Sequence, residues 1–507
     1  MKKITLLACF ILLNLHTANY AQTSNIEKQQ AINFTANIDK YWQEHDLNKA
    51  LAELNCSEEA LAQNRAKMLA MYGENKKITG DYDKTLAANT LSGIYVGKVV
   101  SDKVVSWKGI PYAKQPVGEL RWKAPQAPDN SDAVYEAYYF GSSSVQAECN
   151  DEPASLYPQG EDCLNLNIWN NKSDEAKNKP IMVWIHGGAY IQGGACTDEY
   201  DGTNFVKAHP EVIFASIDYR TDFMGFINLS KVPGAEEYKD SANLGLLDEI
   251  QALAWLKKNA AAFGGDPERI TIFGESAGGG SVSSLTLAPQ AKGIFKRAIM
   301  QSGVSSGFLR TAEKSINHTD KIMKISGAKN INDLLALNKN DLRKIATIIN
   351  SEDPTGYTYP QCDGIVVPFN IKETLDSNHR NGFDIMIGTT KDEYNYWTML
   401  LGKELNMISM QKSKDTLLAK LNDDQKTRFE TFLSQQKGDE YNKMLQYTNY
   451  LAFHCPSRYE AKTHAANKQN TYVYYFTEES NDPDLLSCHG YDLGFVLGNV
   501  EENKAKD

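Results

Sequence analysis

The stretch Phe273-Gly274-Glu275-Ser276-Ala277-Gly278-Gly279-Gly280-Ser281 constrains this chain more than any other. The apolar residues Ile270–Phe273 lead into it as a short strand, and a helix-compatible run from Ala277 to Leu287 leads out. A serine at such a strand–turn–helix junction is the setting of a nucleophile elbow. Gly274 and Gly278 leave room for a strained turn that lifts the Ser276 hydroxyl above a sheet. The helix N-terminus then directs its free amides at the same place. A bare G-x-S-x-G turns up by chance in roughly one chain in six of this length, given ordinary glycine and serine frequencies. The flanking strand and helix therefore carry the argument, against the competing reading of a merely structural turn.

Such a serine needs a sheet beneath it. Ile181–Ile185, Val212–Ile217, Ile270–Phe273, Ala298–Met300, Ile385–Ile387 and Tyr472–Phe476 are short apolar runs of the kind found in strands buried on both faces. Helical patterns between them, Leu246–Asn259 above all, imply a mostly parallel sheet flanked by helices. Phe263-Gly264-Gly265-Asp266-Pro267 stops that helix. The α/β domain is expected over 86–507. Before it, Ile26–Trp42 and Ser57–Tyr72 have helical spacing, so 22–85 is expected to be a helical extension ending in a polar link at Asn75–Lys84.

Lys2 and Lys3, the apolar run Ile4–Leu15, and Ala18 and Ala21 behind it read as an export signal over 1–21. The run is too short to cross a bilayer as a helix. Leu6-Leu7-Ala8-Cys9 resembles a lipoprotein box, but the apolar run continues past Cys9. A secreted or periplasmic protein without stable membrane insertion is expected. Loss of Cys9 leaves seven of the eight cysteines. Cys149 and Cys163 flank a polar loop and are the disulfide candidate, contributing about 3 kcal/mol in the chain-entropy model; two free buried thiols are the alternative. Cys56, Cys196, Cys362, Cys455 and Cys488 show no pairing by spacing. No Cys/His cluster has zinc-like spacing, so neither metal nor cofactor is expected. The net charge of −11 argues against a nucleic-acid partner.

Acyl transfer at a serine also requires oxyanion donors. His186-Gly187-Gly188-Ala189-Tyr190 lies just past the strand Ile181–Ile185. The amides of Gly188, Ala189 and Ala277 are the candidate donors, with Gly187 as the hinge that turns them.

Further motifs carry a family likeness. They are Trp107-Lys108-Gly109-Ile110-Pro111-Tyr112-Ala113, Pro116-Val117-Gly118-Glu119-Leu120-Arg121-Trp122, Glu161-Asp162-Cys163-Leu164-Asn165-Leu166-Asn167-Ile168, Asn243-Leu244-Gly245-Leu246-Leu247-Asp248 and Gly264-Gly265-Asp266-Pro267. With the serine motif, they make the chain resemble the type B carboxylesterases, cholinesterases included, from about Gly93 onward. The resemblance implies an α/β-hydrolase fold and hydrolysis of a small-molecule ester through an acyl-enzyme on Ser276. It implies His489, in Cys488-His489-Gly490-Tyr491-Asp492, as base. Glu393 is the implied acid, with Asp392 as the alternative. Glu275 and Ser302, in Gln301-Ser302-Gly303, match supporting positions expected to act by hydrogen bonding. The resemblance also favours the Cys149–Cys163 pair. An ordinary imidazole base predicts rate loss as pH falls through about 6 to 7.

The chain departs from the family at several points. The loop Asn150–Asp162 has no Trp, which argues against choline esters, and Val304–Leu309 offers Phe308 and Leu309 at the acyl side. The chain stops eighteen residues after His489, where relatives continue through further helices. It is expected either to be truncated or to cover its core with the N-terminal extension, and Cys455 resembles a cysteine whose partner lies in that tail. Lactones, thioesters and feruloyl esters suit the same machinery. A non-catalytic binding module would be expected to have lost catalytic residues, and all three are present.

Overall fold

The computed structural model describes residues 39–40, 43, 73–147, 158–173, 177–352, 358–377 and 382–499. Among them, nine strands form one sheet. In chain order these are β1 (Lys98–Ser101), β2 (Val104–Pro111), β3 (Asn165–Asn171), β4 (Lys179–Ile185), β5 (Ile213–Ile217), β6 (Gly265–Glu275), β7 (Arg297–Gln301), β8 (Asp384–Thr390) and β9 (Thr471–Phe476). Their spatial order is β9-β8-β7-β6-β4-β5-β3-β2-β1. The six from β5 to β9 run parallel, and β3, β2 and β1 continue the sheet antiparallel. This is the α/β-hydrolase arrangement. The apolar runs become its centre because they are covered on both faces: Ile181, Val183, Ile185, Ile270, Ile272 and Phe273 are all fully buried.

The order places β4 between β5 and β6, so the chain leaves β5, passes through helix α1 (Leu244–Asn259) and returns on the other side of β4. Clefts in parallel sheets open where successive connections diverge in this way. Ile185 pairs with Gly274 across β4 and β6, so the loop at His186 and the turn at Ser276 emerge side by side. Gln301 pairs with Glu275 on one side and Gly388 on the other, which brings the ends of β7 and β8 into the same row.

Two expectations change. The segment Asn75–Lys84 is not a free link: Lys77–Ile78 pairs with Val134–Glu136 in a second, smaller sheet. The Asn75 side chain anchors it, donating to the carbonyls of Lys108 and Tyr139 and accepting from the amides of Tyr138 and Tyr139. Residues 73–85 thus fold with the main body. Of the expected helical extension before residue 73, only Asp39, Lys40 and Gln43 are described, and they are helical; the rest of that stretch, like the signal segment, lies outside the described residues. The second change is at β9, which is not buried on both faces. Among the described residues it pairs with β8 alone, at the sheet edge, and Tyr472, Val473 and Tyr475 are exposed.

Cys163 is a free, buried thiol rather than half of a disulfide, and Cys149 lies outside the described residues. Cys362, Cys455 and Cys488 are free as well. No helix among the described residues is long and apolar enough to cross a membrane.

One buried ion pair ties the cleft floor to α1. Arg220, just past β5, donates through Nε and Nη2 to Asp248 at 2.8 and 2.7 Å, and its backbone amide reaches the same carboxylate. Both side chains are excluded from solvent. Removing one partner strands the other charge, so Asp248→Asn is expected to lower the free energy of unfolding by about 3–5 kcal/mol. Urea denaturation of the two proteins measures this, and a loss below about 1 kcal/mol would place the pair among exposed, weak ones.

Candidate active site

Ser276 sits at φ 56°, ψ −121°, between the end of β6 and helix α2 (Ala277–Leu287). A serine resists this left-handed backbone, at a cost of about 1–3 kcal/mol. The surrounding packing imposes it. The Ser276 amide donates to the Gln301 carbonyl at 2.9 Å, and its carbonyl accepts from Gly280 at 2.9 Å. A Cβ on Gly278 would lie 2.1 Å from the Ile185 oxygen, and one on Gly274 2.6 Å from that same atom. Gly303 is a third requirement that motif reading passes over: its Cβ would lie 1.9 Å from the Ser276 oxygen. Ser276 itself is only partly buried.

The glycine loop after β4 turns back through three successive left-handed residues, Gly188 (φ 105°), Ala189 (φ 54°) and Tyr190 (φ 63°). The expected hinge, Gly187, has a different task. Its missing Cβ leaves space 3.3 Å from Ser276 Cβ and 3.2 Å from a Glu275 carboxylate oxygen. Asp222 donates its amide to the Tyr190 carbonyl at 2.6 Å, and Ile191 and Gln192 both donate to Gly188. His186 is stacked on Tyr219 with centroids 4.4 Å apart. Burial pushes its pKa down to about 4, so it stays neutral. Ala277 opens α2, so its amide has no partner within the helix.

Glu393 and His489 meet at the other side. Glu393 is fully buried; its Oε1 accepts from the Thr390 amide at 2.9 Å and its Oε2 lies 2.6 Å from His489 Nδ1. The His489 amide donates to the Glu393 carbonyl at 3.1 Å. The alternative acid, Asp392, faces Lys391 at 3.8 Å instead. Ser302, expected to support by hydrogen bonding, has a buried hydroxyl with no partner; its backbone amide is what binds, to the Gly388 carbonyl at 2.9 Å. Phe453, Trp397 and Tyr396 surround the imidazole at 4.8, 5.2 and 6.1 Å between ring centroids. None of the three carries a motif. Among the described residues no group of His, Cys, Asp and Glu is placed to hold a metal ion.

Glu275, adjacent to the serine, puts its Oε1 3.1 Å from His489 Nε2. The imidazole thus lies between two carboxylates. Burial disfavours its charged form, but Glu275 and Glu393 together outweigh this and raise His489 to about 9. Burial, partly offset by His489, raises Glu275 to about 8. At this distance the two groups titrate as a coupled pair.

The comparisons with known proteins fit this geometry. Residues 84–507 match the family model described as the carboxylesterase family. This chain belongs to the carboxylesterase family. Para-nitrobenzyl esterase of Bacillus subtilis is 33% identical over 414 residues, covering 78% of this chain and 80% of that protein. Carboxylesterase 1E of Mus musculus is 29% identical over 468 residues, covering 81% and 80%. The crystal structure of a Geobacillus stearothermophilus carboxylesterase superposes with a TM-score of 0.72 at 36% identity, covering 82% of this chain and 84% of that one. The esterase is accordingly a carboxylic-ester hydrolase.

With His489 as the proposed base, the acid limb of the pH–rate profile is expected above the 6 to 7 of an ordinary imidazole. A base with a raised pKa becomes neutral only at higher pH, so kcat/KM is expected to climb through a midpoint above pH 7. Glu275→Gln removes one anionic neighbour and is expected to lower that midpoint by about one unit. Coincident profiles of p-nitrophenyl butyrate hydrolysis would show instead that Glu275 is uncharged throughout.

Proposed function

We propose that this chain is an exported serine carboxylesterase that works through an acyl-enzyme on Ser276. The observation that carries this is the buried 2.6 Å contact between His489 Nδ1 and Glu393, in the row of strand ends where Ser276 occupies its left-handed turn. Glu393 accepts from Nδ1–H and so keeps Nε2 free to take a proton. His489 removes the Ser276 proton as the hydroxyl attacks the ester carbonyl, and the amides of Gly188, Ala189 and Ala277 receive the developing oxyanion. His489 then protonates the leaving alcohol, and water releases the acid by the same route. Glu275 beside Nε2 stabilises the transient imidazolium. The rings of Trp397, Phe453 and Tyr396 lie on the imidazole side, where the alcohol departs, which favours an apolar or aromatic alcohol.

Export rests on the charged and apolar pattern of residues 1–21. Mass spectrometry of the secreted protein is expected to find a chain beginning after Ala21. An intact N-terminus would end the export reading.

Hydrolysis of p-nitrophenyl acetate, butyrate and octanoate tests the chemistry directly. Ser276→Ala is expected to reduce kcat by at least about 10³-fold and to abolish stoichiometric labelling by a phosphonate probe. A folded wild-type protein that neither turns over nor becomes labelled would point to a binding module. Thioester and lactone panels separate the remaining hydrolase readings.

A further inference from the structure

Helix α2 carries the nucleophile at its start and, two turns on, a serine that faces a buried acid. Ser283 donates to Glu460 Oε2 at 2.8 Å. The Ser305 and Ser306 hydroxyls reach Glu460 Oε1 at 3.2 and 3.3 Å, and the Ser306 amide reaches it at 3.4 Å. Ser283 and Ser305 also lie 2.9 Å apart. Glu460 is fully buried, on the helix Cys455–Ala466, far along the chain from its partners. Its carboxyl thus accepts from the nucleophile helix and from the turn Ser305–Gly307 together.

That turn leads directly into Phe308. The Phe308 ring packs edge-on against Tyr359 at 5.6 Å and against Tyr190 at 6.3 Å. It also stands 3.2 Å from where a Cβ on Gly280 would be, one helical turn past Ser276. Downstream, Arg310 donates its amide to the Pro360 carbonyl and accepts from Cys362. The segment carrying Phe308 is therefore pinned at one end by backbone pairing to 360–362 and at the other by Glu460.

We propose that Glu460 is a specificity-determining positioning residue: by clamping Ser305 and Ser306 to the nucleophile helix it fixes Phe308 as the wall that limits the acyl chain. The proposal rests on the acyl-enzyme reading above. It involves no contact between Glu460 and substrate. Loosening the clamp frees the wall, so long acyl chains gain relative to short ones while the chemistry at Ser276 is unchanged.

Glu460→Gln keeps the side-chain volume, and Ser305→Ala removes one strut while leaving the carboxylate in place; Glu460→Ala is the more disruptive variant and is not needed. Each protein is titrated with the phosphonate probe, so that rates refer to labelled Ser276 only, and assayed on p-nitrophenyl acetate, butyrate and octanoate. The expected result is a rise of about fivefold or more in the octanoate-to-acetate ratio of kcat/KM for Glu460→Gln, with acetate kcat within about twofold of wild type. Ser305→Ala is expected to move the ratio the same way by a smaller factor. An unchanged ratio in both labelled variants overturns the proposal. So does an equal loss on all three esters, which would make Glu460 a support of the nucleophile helix alone. Wild-type protein that is not labelled at Ser276 would instead defeat the acyl-enzyme reading, a result distinct from either.

Discussion

A serine held in a left-handed backbone is the constraint around which this cleft is organised. The turn at Ser276 is tolerable only because β6 and α2 come within contact distance of the end of β4 on one side and of β7 on the other. Gly278 and Gly274 admit the Ile185 carbonyl, and Gly303 admits the carbonyl of Ser276 itself. Each contact is made by a missing methyl group, which makes the glycines a matter of distance as much as of backbone freedom. The loop at Gly188–Tyr190 emerges beside the serine for the same reason, since β4 and β6 are in register.

Electrostatics form a second layer on this frame. An imidazole between two buried carboxylates differs from the ordinary base that a histidine motif suggests. The Glu393 side is rigid, held by a backbone amide and by a direct contact to Nδ1. On the Glu275 side burial, partly offset by His489, raises the carboxyl to about 8.

Much of this is legible in local pattern. The strand runs and helix α1 follow from periodicity and composition, because apolar residues at those spacings have few other ways to leave water. The contact of Glu393 with His489 follows from family likeness, not from spacing, since 96 residues separate them. What stays hidden is long-range or atomic. Asn75 looks like linker composition, and only the carbonyls and amides more than thirty residues away make it an anchor. Glu460 looks like one more charge on a surface helix until three serines close over it. The exposure of β9 depends on which strands have two neighbours, which no run of residues states about itself.

That edge position has a consequence for how the molecule fails. The loop that carries His489 hangs from β9, with Asp392 donating to Ser487 and Lys391 to Phe476 as its ties to β8. A strand bonded on one side, with aromatic residues open to water, is the kind of unit that opens in fluctuations smaller than global unfolding. The serine side of the cleft belongs to the central strands and the histidine side to the periphery. On the acyl-enzyme reading proposed above, competence would be set by the weakest ladder rather than by the whole fold, and under mild heat or denaturant activity is expected to fade while β4, β6 and β7 still resist hydrogen exchange.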